Sequence, residues 1–130
     1  MKKDTELWLQ YADDNFKSAR VLLESGLYNP CLQNVQQAVE KYLKAFLVEQ
    51  ATGLSKTHSI SELAARVRGA GVVLAITEDE TDLLDSIYLP SKYPLASVLP
   101  HFMPDRNICQ QCLKIAEQVR CNLKVVLDLP

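Results

Sequence analysis

The segment from Pro30 to Thr52 limits the fold more than any other part of the chain. On a wheel of about 100° per residue, Leu32, Val35, Ala38, Val39, Tyr42, Leu43, Ala45 and Phe46 fill an arc of about 160°, wider than the stripe of a surface helix. So broad an apolar side needs several packing partners. Pro30 suits a first helical turn, where its missing N–H has no intrahelical role, and Gly53 closes the segment. Opposite the arc stands a compact polar row of Gln36, Gln37, Glu40, Lys41 and Lys44, in which Glu40 and Lys44 are spaced for an i,i+4 ion pair.

Helical spacing recurs elsewhere. Trp8, Tyr11, Ala12, Ala19, Leu22 and Leu23 predict a first helix over Asp4–Glu24, ended by Gly26. Ser59 with Glu62 and Thr77 with Glu80 have capping-box spacing. They open a third helix, which ends near Arg68, and a fourth, which stops before Pro90. Residues 90–104, PSKYPLASVLPHFMP, hold four of the six prolines and predict a long irregular loop or extended arm. A last helix over Asp105–Leu127 places Ile108, Cys112, Ile115, Val119, Leu123 and Val126 on one face. No stretch reads as an alternating strand. The expected fold is all-α, an antiparallel up-and-down bundle of four to five helices forming one domain over residues 1–130.

With 130 residues, 48% of them hydrophobic and 23% charged, the chain can bury a core without staples. MKKDTELWLQ at the N-terminus lacks a signal peptide's apolar run, and no segment reaches the length of a membrane span, so a cytoplasmic protein is expected. The net charge of -2 excludes a broadly basic nucleic-acid surface. Any nucleotide or RNA site must be local, and away from the acids Glu78, Asp79, Glu80, Asp82 and Asp85, which repel phosphate within about 8 Å at physiological salt. The four cysteines read as reduced thiols. Cys109 and Cys112 form a CxxC inside an amphipathic helix and read as core; zinc would need two more ligands, for which Cys31 or a histidine are only guesses. No cofactor or metal is expected.

Three pieces carry a resemblance: QQAVEKYLKAFL, KTHSISEL and SKYP. The Q-A-x-E-K-x-x-K-A pattern of Gln37, Ala38, Glu40, Lys41, Lys44 and Ala45, followed by Thr57-His58 and by Tyr93-Pro94, resembles the HEPN family (higher eukaryote and prokaryote nucleotide-binding) over nearly the whole chain. The resemblance implies a helical bundle, usually a homodimer, often encoded beside a minimal nucleotidyltransferase. Some members are RNA-cleaving toxins with an R-x(4–6)-H motif near the last long helix. That motif is missing here: neither His58 nor His101 follows an arginine at that spacing, and Lys92 stands where the pattern commonly has Arg before Tyr-Pro.

Each candidate residue has two readings. His58, just before a helix, can meet a phosphate together with the free amides of Ser59 to Glu62; the plainer reading is a hydrogen bond that pins its loop to the second helix. Lys41 and Lys44 can bind phosphate, the plainer reading being a solvated face. Lys92, Tyr93, His101 and Phe102 make a basic, aromatic loop that can stack a base, or else one that folds over the bundle. The expected function is a HEPN binding module, a homodimer recruited through surplus apolar surface of the second helix, with a minimal nucleotidyltransferase as partner and Lys41, Lys44, His58, Lys92 and Tyr93 as nucleotide contacts. The alternative is a metal-independent ribonuclease toxin of a toxin–antitoxin pair, with Lys92 or Arg106 as the cation and His101 as acid or base.

Overall fold

The computed structural model describes residues 1–52, 56–92 and 104–127, with backbone alone over 89–92. The described chain is all-α: α1 (Lys3–Glu24), α2 (Tyr28–Glu49), α3 (Ile60–Gly69), α4 (Glu78–Lys92) and α5 (Arg106–Leu127), with no strand among the described residues. None of these helices is long and apolar enough to cross a membrane.

The helix ends follow local chemistry. α1 closes in a Schellman turn: Gly26, at φ 73°, donates to Leu23 O (3.0 Å), and Leu27 donates to Leu22 O (2.9 Å). α2 ends the same way, but Ala51 occupies the left-handed position at φ 56°, donating to Val48 O, while Thr52 donates to Leu47 O. The helix therefore stops at Glu49, before the expected Thr52 and Gly53. It also starts earlier, at Tyr28, which leaves Pro30 in the first turn, where a missing N–H costs little. α4 has the full capping box, Glu80 N to Thr77 Oγ1 and Thr77 N to Glu80 Oε1. Ser59 forms half of one: its hydroxyl accepts from Glu62 N, while its own N–H donates to Thr57 Oγ1. Asp105 accepts from Ile108 N at the start of α5. One boundary is corrected: α4 does not stop before Pro90 but runs through it to Lys92, because a proline near the end removes only one helical hydrogen bond.

α2 is the central helix and packs against the other four. It is antiparallel to α1, with Asn15 bonded to Asn34 at one level and Lys2 N to Glu49 Oε1 at the far end. α5 runs parallel to α2, with Cys109 Sγ on Tyr28 O near its start and Arg120 beside the Asp13–Tyr42 pair further on. The apolar arc is consumed inside the chain: Leu32, Val35, Ala38, Val39, Tyr42, Leu43, Ala45 and Phe46 are all buried. The surplus expected on this helix is absent. Exposed large apolar side chains stand instead on α1 (Leu7, Tyr11, Val21) and at the end of α5 (Val125, Val126).

The connection 72–77 shows an alternation not read in the sequence, with Val72, Leu74 and Ile76 buried and Val73 and Ala75 exposed. It pairs with no strand, so side chains meet its backbone: Arg68 Nη2 donates to Leu74 O and Ile76 O, and Ala75 N donates to Asn122 Oδ1.

Because alanine pays about 1 kcal/mol to sit left-handed, Ala51→Gly is expected to stabilise the chain by about 0.5–1 kcal/mol in urea unfolding, whereas Gly26→Ala, placed in the same conformation with open space around it, destabilises it by about as much.

Candidate functional site

Most of the polar row of α2 does not face water: Gln37 and Lys41 are half-buried and the other three are enclosed. Gln36, Glu40 and Lys44, one turn apart, are 1%, 4% and 6% exposed. Their shared centre is the Glu40 carboxylate. Oε1 accepts from Gln36 Nε2 (3.3 Å) and Oε2 from Lys44 Nζ (3.0 Å). His58 Nδ1 lies 3.1 Å from Oε2, and since a carboxylate only accepts, that nitrogen carries the proton. Gln37 donates to Gln36 Oε1 (2.8 Å) and extends the chain of bonds outward. Every buried side-chain nitrogen and oxygen among the described residues has a partner.

The i,i+4 pair expected for Glu40 and Lys44 is present, and so is the bond pinning the His58 loop to α2. The solvated-face reading of the lysines is corrected. α1 covers that side: Lys44 Nζ lies 5.9 Å from the centre of the Trp8 ring, and half-buried Lys41 donates to Asn15 Oδ1 (2.7 Å) near the Tyr11 ring. The amphipathic wheel misled because it assumes solvent across one whole side, whereas helices pack on most of α2 and leave only a half-buried stripe through Asn34, Gln37 and Lys41.

A second correction concerns the amides at the start of α3. Ile60 N (2.5 Å) and Ser61 N (3.1 Å) both donate to Asp85 of α4, and Glu62 N donates to Ser59 Oγ. The chain's own carboxylate occupies the positive end of the helix, which one of the two readings of His58 gave to an external phosphate. The acidic α4, set aside in the sequence, thus builds part of this region. It also supplies Tyr88, whose ring stacks on His58 at 5.2 Å between centroids and 15° between planes. Neither Asp85 nor Tyr88 had a sequence signal, since both depend on how α4 docks. Trp8 was read only as one of a helical series.

Geometry leaves His58 as the group turned outward. Its side chain is 53% exposed, its Nδ1 is tied to Glu40, and its Nε2 has no hydrogen bond among the described residues. A carboxylate-oriented imidazole of this kind can accept or deliver a proton, or meet a ligand's polar edge. Lys44 cannot supply a cation to the same ligand while its ammonium holds Glu40. Arg106 is elsewhere: it donates to Leu23 O (3.3 Å) and lies over the Tyr28 ring, about 24 Å from Lys44 along the axis of α2 at 1.5 Å per residue. The Lys92 backbone ends α4, one turn after Tyr88; its side chain, Tyr93, His101 and Phe102 lie outside the described residues.

The CxxC thiols are core. Cys31, Cys109 and Cys112 are buried, and burial pushes Cys109 and Cys112 up to about 12 and raises Cys31 as well. No group of three or more possible metal ligands is found among the described residues.

Comparison with known proteins agrees with this architecture. The HEPN domain profile matches residues 5–126. TT1696 from Thermus thermophilus is similar in structure, with a TM-score of 0.75 at 24% identity over 95% of this chain and 98% of that one. ST0689, described as an archaeal HEPN homologue, has a TM-score of 0.70 at 26% identity over 95% of this chain and 97% of that one. No curated protein matches the sequence significantly.

Two outcomes are expected. Removing the hub by Glu40→Ala strands a buried ammonium and lowers stability by about 3 kcal/mol in urea unfolding, more than His58→Ala does. A thiol titration of the native protein at pH 8 finds one reactive cysteine of four, Cys121, with the rest released on unfolding. Since the fold holds the Cys109 and Cys112 protons, their contribution is complete below the ordinary thiol range near pH 8.5 and is lost as pH rises towards about 12.

Proposed function

The chain belongs to the HEPN domain family, and from that premise we propose that it is a binding module, not a nuclease. The observation that supports this reading is the closure of the Glu40 hub. The acidic and basic groups of the family-like pattern are spent on one another, so Glu40 holds the His58 loop in place, and Lys44 is not free to steady a phosphorane. The ribonuclease alternative gains no support from Arg106, which is engaged at the opposite end of α2.

In this reading the His58–Tyr88 stack, with Nε2 outward, is the contact edge for a nucleotide base or phosphate, and Lys92, like Tyr93, is kept as a contact through the family resemblance. Lys41 is a flanking contact and Lys44 a positioning residue for Glu40. The protein partner is a minimal nucleotidyltransferase, and a second copy of this chain would be recruited through exposed Leu7 and Tyr11 of α1, since α2 has no apolar surface to spare.

The test is a thermal-shift series with 1 mM ATP as an order-of-magnitude working concentration, run beside a cellular toxicity assay of the chain expressed alone. A ligand held at about 100 times its Kd adds about 2.7 kcal/mol to stability, so the melting temperature rises by several degrees, and His58→Ala removes the rise. Growth arrest with RNA cleavage that disappears in His101→Ala would overturn the reading in favour of the ribonuclease.

A further inference from the structure

α1 and α5 cross antiparallel, as Asp13 with Arg120 (3.1 Å) and Arg20 with Glu117 (3.6 Å) show, and an open groove of about 500 Å³ runs along their seam. Its two walls differ in sign. On the α1 side stand Glu6, Asp13 and Asp14; on the α5 side stand Arg120 and Lys124. Leu9 gives the floor an apolar point, and Lys17 closes one end. From Glu6 to Lys17 the groove is about 17 Å long at 1.5 Å per residue, or three helical turns.

The floor is fixed from inside the core. The buried Tyr42 hydroxyl donates to Asp13 Oδ1, the oxygen that also receives Arg120 Nε, so the central acid and base are held at set positions before any ligand arrives. This costs a partner less ordering than two free surface side chains would. The groove is also separate from the Glu40 hub, because its α1 residues centre about 160° round the helix from the face carrying Trp8 and Tyr11.

Equal numbers of acids and bases give a polyanion nothing to gain here. Asp13 and Arg120 answer each other at the centre, and a helix with both signs gains from Glu6 and Asp14 on one wall and from Lys124 on the other. We propose that this groove docks an amphipathic helix of a partner protein, its apolar stripe on Leu9, basic residues along one flank facing α1 and acidic residues along the other facing α5. The proposal rests on the binding-module reading and assigns it a second surface, independent of the nucleotide edge.

The probe is a labelled synthetic helical peptide of about three to four turns, with a leucine stripe, lysines on one flank and glutamates on the other. It is compared by fluorescence anisotropy with versions carrying lysine on both flanks or glutamate on both. The mixed peptide is expected to bind at least about tenfold more tightly than either control, an advantage that shrinks as salt is raised. In the Lys17→Glu, Lys124→Glu double variant, with helical circular dichroism retained, preference should pass to the all-lysine peptide. Equal binding of the three peptides, binding of none, or a preference unmoved by the double variant overturns the proposal. So does a change in sedimentation mass on introducing those two substitutions, which would give the groove to a second copy. Peptide binding without any ATP-induced thermal shift keeps the groove and rejects the nucleotide edge; the reverse result rejects the groove alone.

Discussion

Everything in this fold depends on α2 being enclosed. A helix wrapped by four others buries Glu40 and Lys44 among its charged residues, and those two charges must be answered inside the chain. Glu40 does this. Its two oxygens receive Gln36, Lys44 and His58, which balances the burial of the carboxylate and the ammonium together and ties the segment before α3 to the centre of the bundle.

That arrangement turns the usual order of structure and site around. The polar row is part of what holds the molecule together, and the group left for chemistry is the ring at its edge. His58 is oriented by Glu40, stacked by Tyr88 and about half exposed. A second polar path follows the same logic on the other side of α2, where buried Tyr42 reaches Asp13 and Arg120 at the floor of the α1–α5 groove. Each path begins on the central helix and ends at the surface, and each surface end is held stiffly by the core behind it.

Local signals in the sequence were strong where the chemistry is local. The helix starts at Ser59, Thr77 and Asp105 are made by side chains within three residues of the bonds they form, and Gly26 closes α1 through its own backbone. The end of α2 was misjudged because Ala51 adopts a conformation that residue type rarely takes, and the end of α4 because Pro90 was read as a stop. The long-range bonds had no such signature. Asp85 sits in a run of acids that looks like a solvated helix start, and only the docking of α4 against α3 turns it into a cap.

By itself the sequence determined that the chain is all helical, where most helices begin and end, that α2 is the main packing element, and that the chain resembles the HEPN family. These follow from periodicity, capping residues and short motifs, which act over a few residues. Tertiary structure alone decided that Lys44 and Glu40 are buried partners, that α3's amides are already filled, and that α2 has no apolar surplus for a second copy. The reason is solvent access: a residue's spacing along a helix fixes its direction, but only the positions of the other helices decide whether that direction leads to water or to another side chain.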